Sequence, residues 1–308
     1  MTLGLRIPDT RIPMPTNEAP DFFMTDGQSD YRMVRPWQKP SPRGNVGVIS
    51  QLALDSRGRV FVLQRSAPQL LIYGPDGELD TVYENPRLTS GHGLFIDGAD
   101  NVYLVSYDAH QVLALDAALE TRFELGHFNV PRWGAPFNHP TDVAVAPDGE
   151  IYVSDGYGNA CVHRFSAEGR HLQTWGGVGQ GPGEFSTPHG VWVLADDRVA
   201  VCDRDNDRIQ LFDREGRYLT QWTGLLRPMD VWSNGSEVFV TEQAPRVSRL
   251  DLSGAVLGRF RTFGVYGHGL WGAADGSLFV AEQGHGMHCV TKYERIGPAG
   301  AAALRSRA

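Results

Sequence analysis

The chain is poor in the features that mark several large protein classes. It has only Cys161, Cys202 and Cys289, an odd and sparse set that offers no disulfide framework. No segment approaches the roughly 18 consecutive apolar residues of a membrane span. The first residues, MTLGLRIPDTRIPMP, lack the apolar stretch and small-residue cleavage pattern of a secretory signal. These absences lead us to expect a cytoplasmic protein with buried thiols and no membrane partner. Basic charge is also short: the net charge is −8, and there is no basic run, so a nucleic-acid partner is not expected. An Asn-Gly-Ser acceptor at Asn234 is then a chance match. Long apolar segments with a helical period are missing too. What is present is glycine (36) and proline (19) spread along 308 residues, which implies many turns.

Between those turns lie runs rich in Val, Phe, Tyr and Leu. They align into six copies with a period of roughly 40 residues, as in propeller blades. The innermost runs begin at Ser50, His92, Thr141, His189, Met229 and His268. Most copies continue with a third strand-like run and a shorter fourth. This pattern predicts an all-β fold, a six-bladed β-propeller over 30–296. An extended N-terminal arm precedes it over 1–29, and a C-terminal tail follows over 297–308. The sixth copy lacks a fourth strand of its own, and DYRMVRPW at 30–37 is the expected donor, which would close the ring and remove an open edge.

The first residue of each inner run is His in the second, fourth and sixth copies. Alternate blades of six are related by a third of a turn, so His92, His189 and His268 should converge on the central axis. Three imidazoles with an open fourth position is the pattern of catalytic zinc, although iron, copper and nickel also accept imidazole. Gly93, Gly190 and Gly269 follow the three histidines and leave room for a close backbone or substrate approach. The turns at the same end of the channel carry Arg65, Tyr107, Asp108, Tyr157 and Arg204. An arginine there can hold a carboxylate, and a tyrosine beside cations can act as a base. The acidic run at 203–207 lacks the Gly and Glu of a calcium loop and reads as a strand turn. His285 and His288 form a weak second pair.

The stretch HPTDVAVAPDGEIYVSDGYGNACVHRFSAEGRHLQTWGGVGQGPGEFSTPHGVWV, followed by VCDRDNDRIQLFDREG, resembles NHL-repeat propellers, and among them the peptidyl-α-hydroxyglycine α-amidating lyases. The likeness is densest from about 137 to 215. It implies a zinc lyase that splits the C–N bond of an N-acyl-α-hydroxyglycine into an amide and glyoxylate. It further implies zinc ligands at His92, His189 and His268, arginines for substrate binding and catalysis at Arg65 and Arg204, and a catalytic tyrosine at Tyr157. Two departures remodel the pocket. Gly269 replaces an Asp that helps hold a structural calcium, and Tyr266 replaces a Met. The first weighs against calcium and against a peptide substrate. The family's disulfide beside the tyrosine is also absent, because Asn138 and Gly158 stand at those positions.

The expected function is therefore a metal-dependent, zinc-type carbon–nitrogen lyase for a small carbinolamide. Arg65, Tyr107 and Tyr266 would line the substrate. Two alternatives stand beside it: a metal-dependent hydrolase of a lactone, cyclic amide or ester, and a non-enzymatic binding propeller.

Overall fold

Each blade follows from the same local chemistry. Apolar and β-branched runs of four to eight residues pair through Asp-Gly-type turns, and blade faces pack on both neighbours, so both faces of a strand are buried. The structure is a computed structural model and describes residues 22–44, 46–284 and 289–297. Six antiparallel sheets are arranged as blades. The first five span 49–83, 91–126, 142–176, 188–222 and 228–261, with four strands each. The sixth is made of Tyr266–Gly272, Leu278–Gln283 and Cys289–Ile296. Apart from a 3-10 turn at Arg204–Asn206, the described residues contain no helix. His285 and His288 lie outside the described residues.

Blade six is completed from the start of the chain. Asp30–Val34 pairs antiparallel with Cys289–Ile296, and Phe22–Thr25 pairs with Asp30–Val34 as a fifth strand. That outermost strand falls within the stretch expected to be an extended arm. A buried ion pair fastens it, because Arg249 of blade five donates to Asp26 at 2.5 Å. Asp26 also accepts from the backbone N–H groups of Gln28 and Ser29.

Inner strands are buried along almost their whole length, whereas fourth strands such as Leu79–Tyr83 are mostly exposed. The core runs between blades. One apolar cluster, for example, joins Phe95 and Val105 of blade two to Tyr152 of blade three and Val201 of blade four. Each blade also carries a buried polar residue at the end of its second strand. Gln64, Ser106, Asp155, Asp203, Glu242 and Glu282 accept backbone N–H groups from the segment entering their blade: Gly47, Thr89, Asn138, Ser186, Leu226 and Gly264. These bonds anchor the turn that follows at the channel mouth.

Candidate metal centre and active site

The inner strands on alternate blades bring His92, His189 and His268 together at the axis. All three are buried. Their ring centroids are 4.9–5.0 Å apart, and one ligand atom from each lies within 4.8 Å of the others. Each ring is fixed in the same way. The Nδ1–H of His92, His189 and His268 donates to the carbonyl of Thr141, Met229 and Ser50, each at 2.7 Å. The acceptor is always the first residue of the next blade's inner run. With Nδ1 protonated, the Nε2 lone pairs are left as ligands.

Electrostatics keep the imidazoles neutral. Burial, then the neighbouring His268 and Arg65, hold His92 well below the ordinary histidine range. Burial, then His268 and His92, do the same for His189. Burial and Arg65 hold His268 at about 3. Three neutral imidazoles with Nδ1 bonded to carbonyls and Nε2 not engaged by the backbone fit a zinc-type ion with open coordination positions.

The glycines after the histidines have a specific cause. A Cβ on Gly93 would lie 2.6 Å from the Cα of Asp142, and one on Gly190 would lie 2.9 Å from the Cα of Asp230. A Cβ on Gly269 would run into the amide of Gln51. It is the neighbouring blade that approaches closely here. Gln51, Asp142 and Asp230 line a cavity of about 10 Å³ beneath the histidines, room for roughly one water-sized sphere. Deeper still, Phe95, Trp192 and Trp271 meet with ring centroids 5.3–5.4 Å apart and plug the axis.

The mouth carries most of the remaining expected residues. The Tyr157 hydroxyl lies 3.2 Å from His92 Nε2 and 3.1 Å from His189 Nε2, and it accepts from Arg204 Nη1 at 3.2 Å. Tyr157 is 36% exposed, so solvent reaches the group. Arg204 also forms a two-pronged pair with Asp205. Burial raises the Asp205 carboxyl, but Arg204, Thr187 and Arg227 outweigh it and hold it at about 2. Tyr107 stacks on His92 and meets Tyr157 edge-on. Arg65 donates to Ser50 Oγ at 3.2 Å and lies over the Tyr107 ring. Tyr266 is turned to its own blade, its hydroxyl donating to Gln283 at 2.9 Å.

Sequence reasoning did not single out His139, which packs on Tyr107. It read Asp205 only as part of a strand turn, without its arginine partners, and passed over the Gln51–Asp142–Asp230 layer. That layer sits one residue further along the inner runs of the odd blades, where its residue types resemble those of turns. The acidic run at 203–207 is a turn: Asp203 accepts from Arg208 and Asn206, and Asp205 from Arg204. A second group of ligand-type residues, Asp155, Cys161 and His163, is satisfied internally. Asp155 accepts from Asn138, Asn159 and His163, and His163 Nδ1 pairs with Thr174. Asn138 packs directly on Gly158, and all three cysteines are free and buried.

A family model described as NHL repeat matches residues 137–165. The rat peptidylglycine alpha-amidating monooxygenase is 31% identical over 261 residues, which is 68% of this chain and 26% of that protein. A probable peptidyl-alpha-hydroxyglycine alpha-amidating lyase of Caenorhabditis elegans is 37% identical over 126 residues, 39% of this chain and 36% of that one. The chain thus spans well under half the length of either relative. Among solved structures, a gluconolactonase of Xanthomonas campestris matches with a TM-score of 0.68 at 17% identity, covering 91% of this chain and 96% of that one. That likeness is one of fold. The chain is therefore a six-bladed β-propeller that carries an NHL-repeat match in its third blade and is similar in sequence to the peptidyl-α-hydroxyglycine α-amidating lyases.

Proposed function

We propose that the protein is a zinc-dependent carbon–nitrogen lyase acting on a small N-acyl-α-hydroxyglycine or related carbinolamide. The observation that carries this reading is the Tyr157 hydroxyl, seated against two channel histidines and an arginine. His92, His189 and His268 would hold the ion, which when bound supplies Lewis-acid polarisation of a substrate oxygen. Tyr157 is placed to take the proton of the substrate hydroxyl. As the new carbonyl forms and the C–N bond breaks, Tyr157, having taken that proton as its phenolate, would return it to the leaving amide nitrogen. Arg65 and Arg204 flank this point and would hold a carboxylate and the developing negative charge. Tyr107 packs beside the tyrosine and walls the substrate space. Tyr266, two residues before His268, supports the reading less, since its hydroxyl is committed to Gln283.

Gly269 and Tyr266 favour a second reading, hydrolysis of a lactone, cyclic amide or ester, because they alter the pocket beside His268. The product separates the two. We expect purified protein to release glyoxylate and a primary amide in equal amounts from an N-acyl-α-hydroxyglycine, with no solvent ¹⁸O in the amide. Tyr157→Phe should lower kcat by roughly 10²–10⁴-fold while zinc is retained. Water-derived oxygen in the product of an opened lactone, with the carbinolamide untouched, would support the hydrolase instead.

A further inference from the structure

Two buried carboxylates lie directly beneath the histidines, where an apolar layer would have closed the channel at less cost. Asp142 and Asp230 are 6% and 4% exposed. Among the described residues neither pairs with a cation. Each reaches across to the next histidine-bearing strand instead. Asp142 Oδ2 accepts from the backbone N–H of Val191 at 3.0 Å, and Asp230 Oδ2 accepts from that of Leu270 at 2.8 Å. Those amides stand two residues beyond His189 and His268. Strand pairing shifts register just there, between Pro188 and Val191 and between Gly267 and Gly269. Such a shift leaves a strand locally free to re-aim its side chains.

The residue before each carboxylate completes a reciprocal arrangement. The Thr141 carbonyl holds the His92 ring while Asp142 holds the His189 strand. The Met229 carbonyl holds the His189 ring while Asp230 holds the His268 strand. The third such dipeptide, Ser50–Gln51, departs from this. Its carbonyl holds the His268 ring, but the Gln51 amide turns to Asp230 and to Leu52. His189 and His268 are thus held at both ring and backbone, and His92 through its ring.

We infer that Asp142 and Asp230 are positioning residues that set the spacing of the histidine trio for its ion. This rests on the reading that the trio binds a metal. The two sites differ in a testable way. Asp142 Oδ1 makes no well-formed hydrogen bond among the described residues and has only the adjacent N–H of Val143 near it, so an amide at 142 can keep its oxygen on Val191. Asp230 accepts on both oxygens, from Val231 on one and from Leu270 and Gln51 on the other. An amide at 230 must turn an N–H toward one of these donors.

The experiment is zinc affinity by chelator competition, with folding checked by circular dichroism and thermal melting. Wild type should bind one zinc. Asp142→Leu and Asp230→Asn should weaken zinc about tenfold or more, whereas Asp142→Asn should stay within about twofold of wild type. Asp26→Asn, remote at the edge of blade six, should lower Tm and leave zinc affinity unmoved. If Asp142→Leu does not fold, Asp230→Asn, which preserves shape, decides. Wild-type affinity in folded Asp230→Asn, or equal losses for Asp142→Asn and Asp230→Asn, would overturn the inference. A wild type that binds no zinc would overturn the metal reading and the inference with it.

Discussion

At the scale of single residues, each channel histidine depends on what its neighbours lack. The imidazoles can meet because Gly93, Gly190 and Gly269 let the adjoining blade come within contact of the histidine strand. Gly93→Ala would put a Cβ 2.6 Å from the Asp142 Cα, a backbone atom that no side-chain rotation can move away. We expect overpacking to cost about 1–3 kcal/mol and to displace His92. Urea denaturation and zinc titration check this, and the variant should lose both stability and affinity. The histidines were legible in the sequence because a rare residue recurred at one phase of a repeat. Gln51, Asp142 and Asp230 recur at the next phase but were not legible, because acidic and amide residues beside strand ends resemble turn residues. The Tyr157–Arg204 contact was not legible either, since it joins two loops from different blades and no periodicity encodes loop geometry.

At the scale of the element, blade six is the one whose strands come from both ends of the described chain. Its donated strand could be read from the missing fourth run. The additional strand Phe22–Thr25 could not, because four residues at the end of a proline-rich stretch carry too little pattern. Asp26 ties this edge to blade five through Arg249, with both side chains almost fully buried. Burial raises the Asp26 carboxyl, but the bonds from Arg249, Gln28 and Ser29 prevail and hold it below the ordinary aspartate value. A carboxyl with a lowered folded-state pKa adds stability above its unfolded value, near 3.9, and loses it as pH falls through the folded value. Asp26→Asn should therefore cost about 1–3 kcal/mol at pH 7. The gap to wild type should persist to pH 5 and close below about pH 4, as read by denaturant melts across that range. A gap that stayed constant down to pH 2 would show that the Asp26 charge is not what fastens the edge.

At the scale of the whole molecule, the propeller is a stack of layers along one axis. Arg65, Tyr107, Tyr157 and Arg204 form the mouth. The histidines come next, then Gln51 with the two carboxylates, then the aromatic plug. Successive layers below the mouth come from even blades, odd blades and even blades again. This alternation explains why a repeat fold with six similar units presents threefold chemistry at its centre. It also concentrates neutral imidazoles beneath guanidinium groups, where an ion bound by the trio would bring an anionic substrate into reach of both arginines. Zinc per chain, measured by elemental analysis on wild type and His189→Ala purified in parallel, tests this account most directly. The account predicts close to one zinc in wild type and near none in the variant, with the fold intact in both. Equal zinc content in the two, or none in either despite zinc supplied during growth, would contradict it.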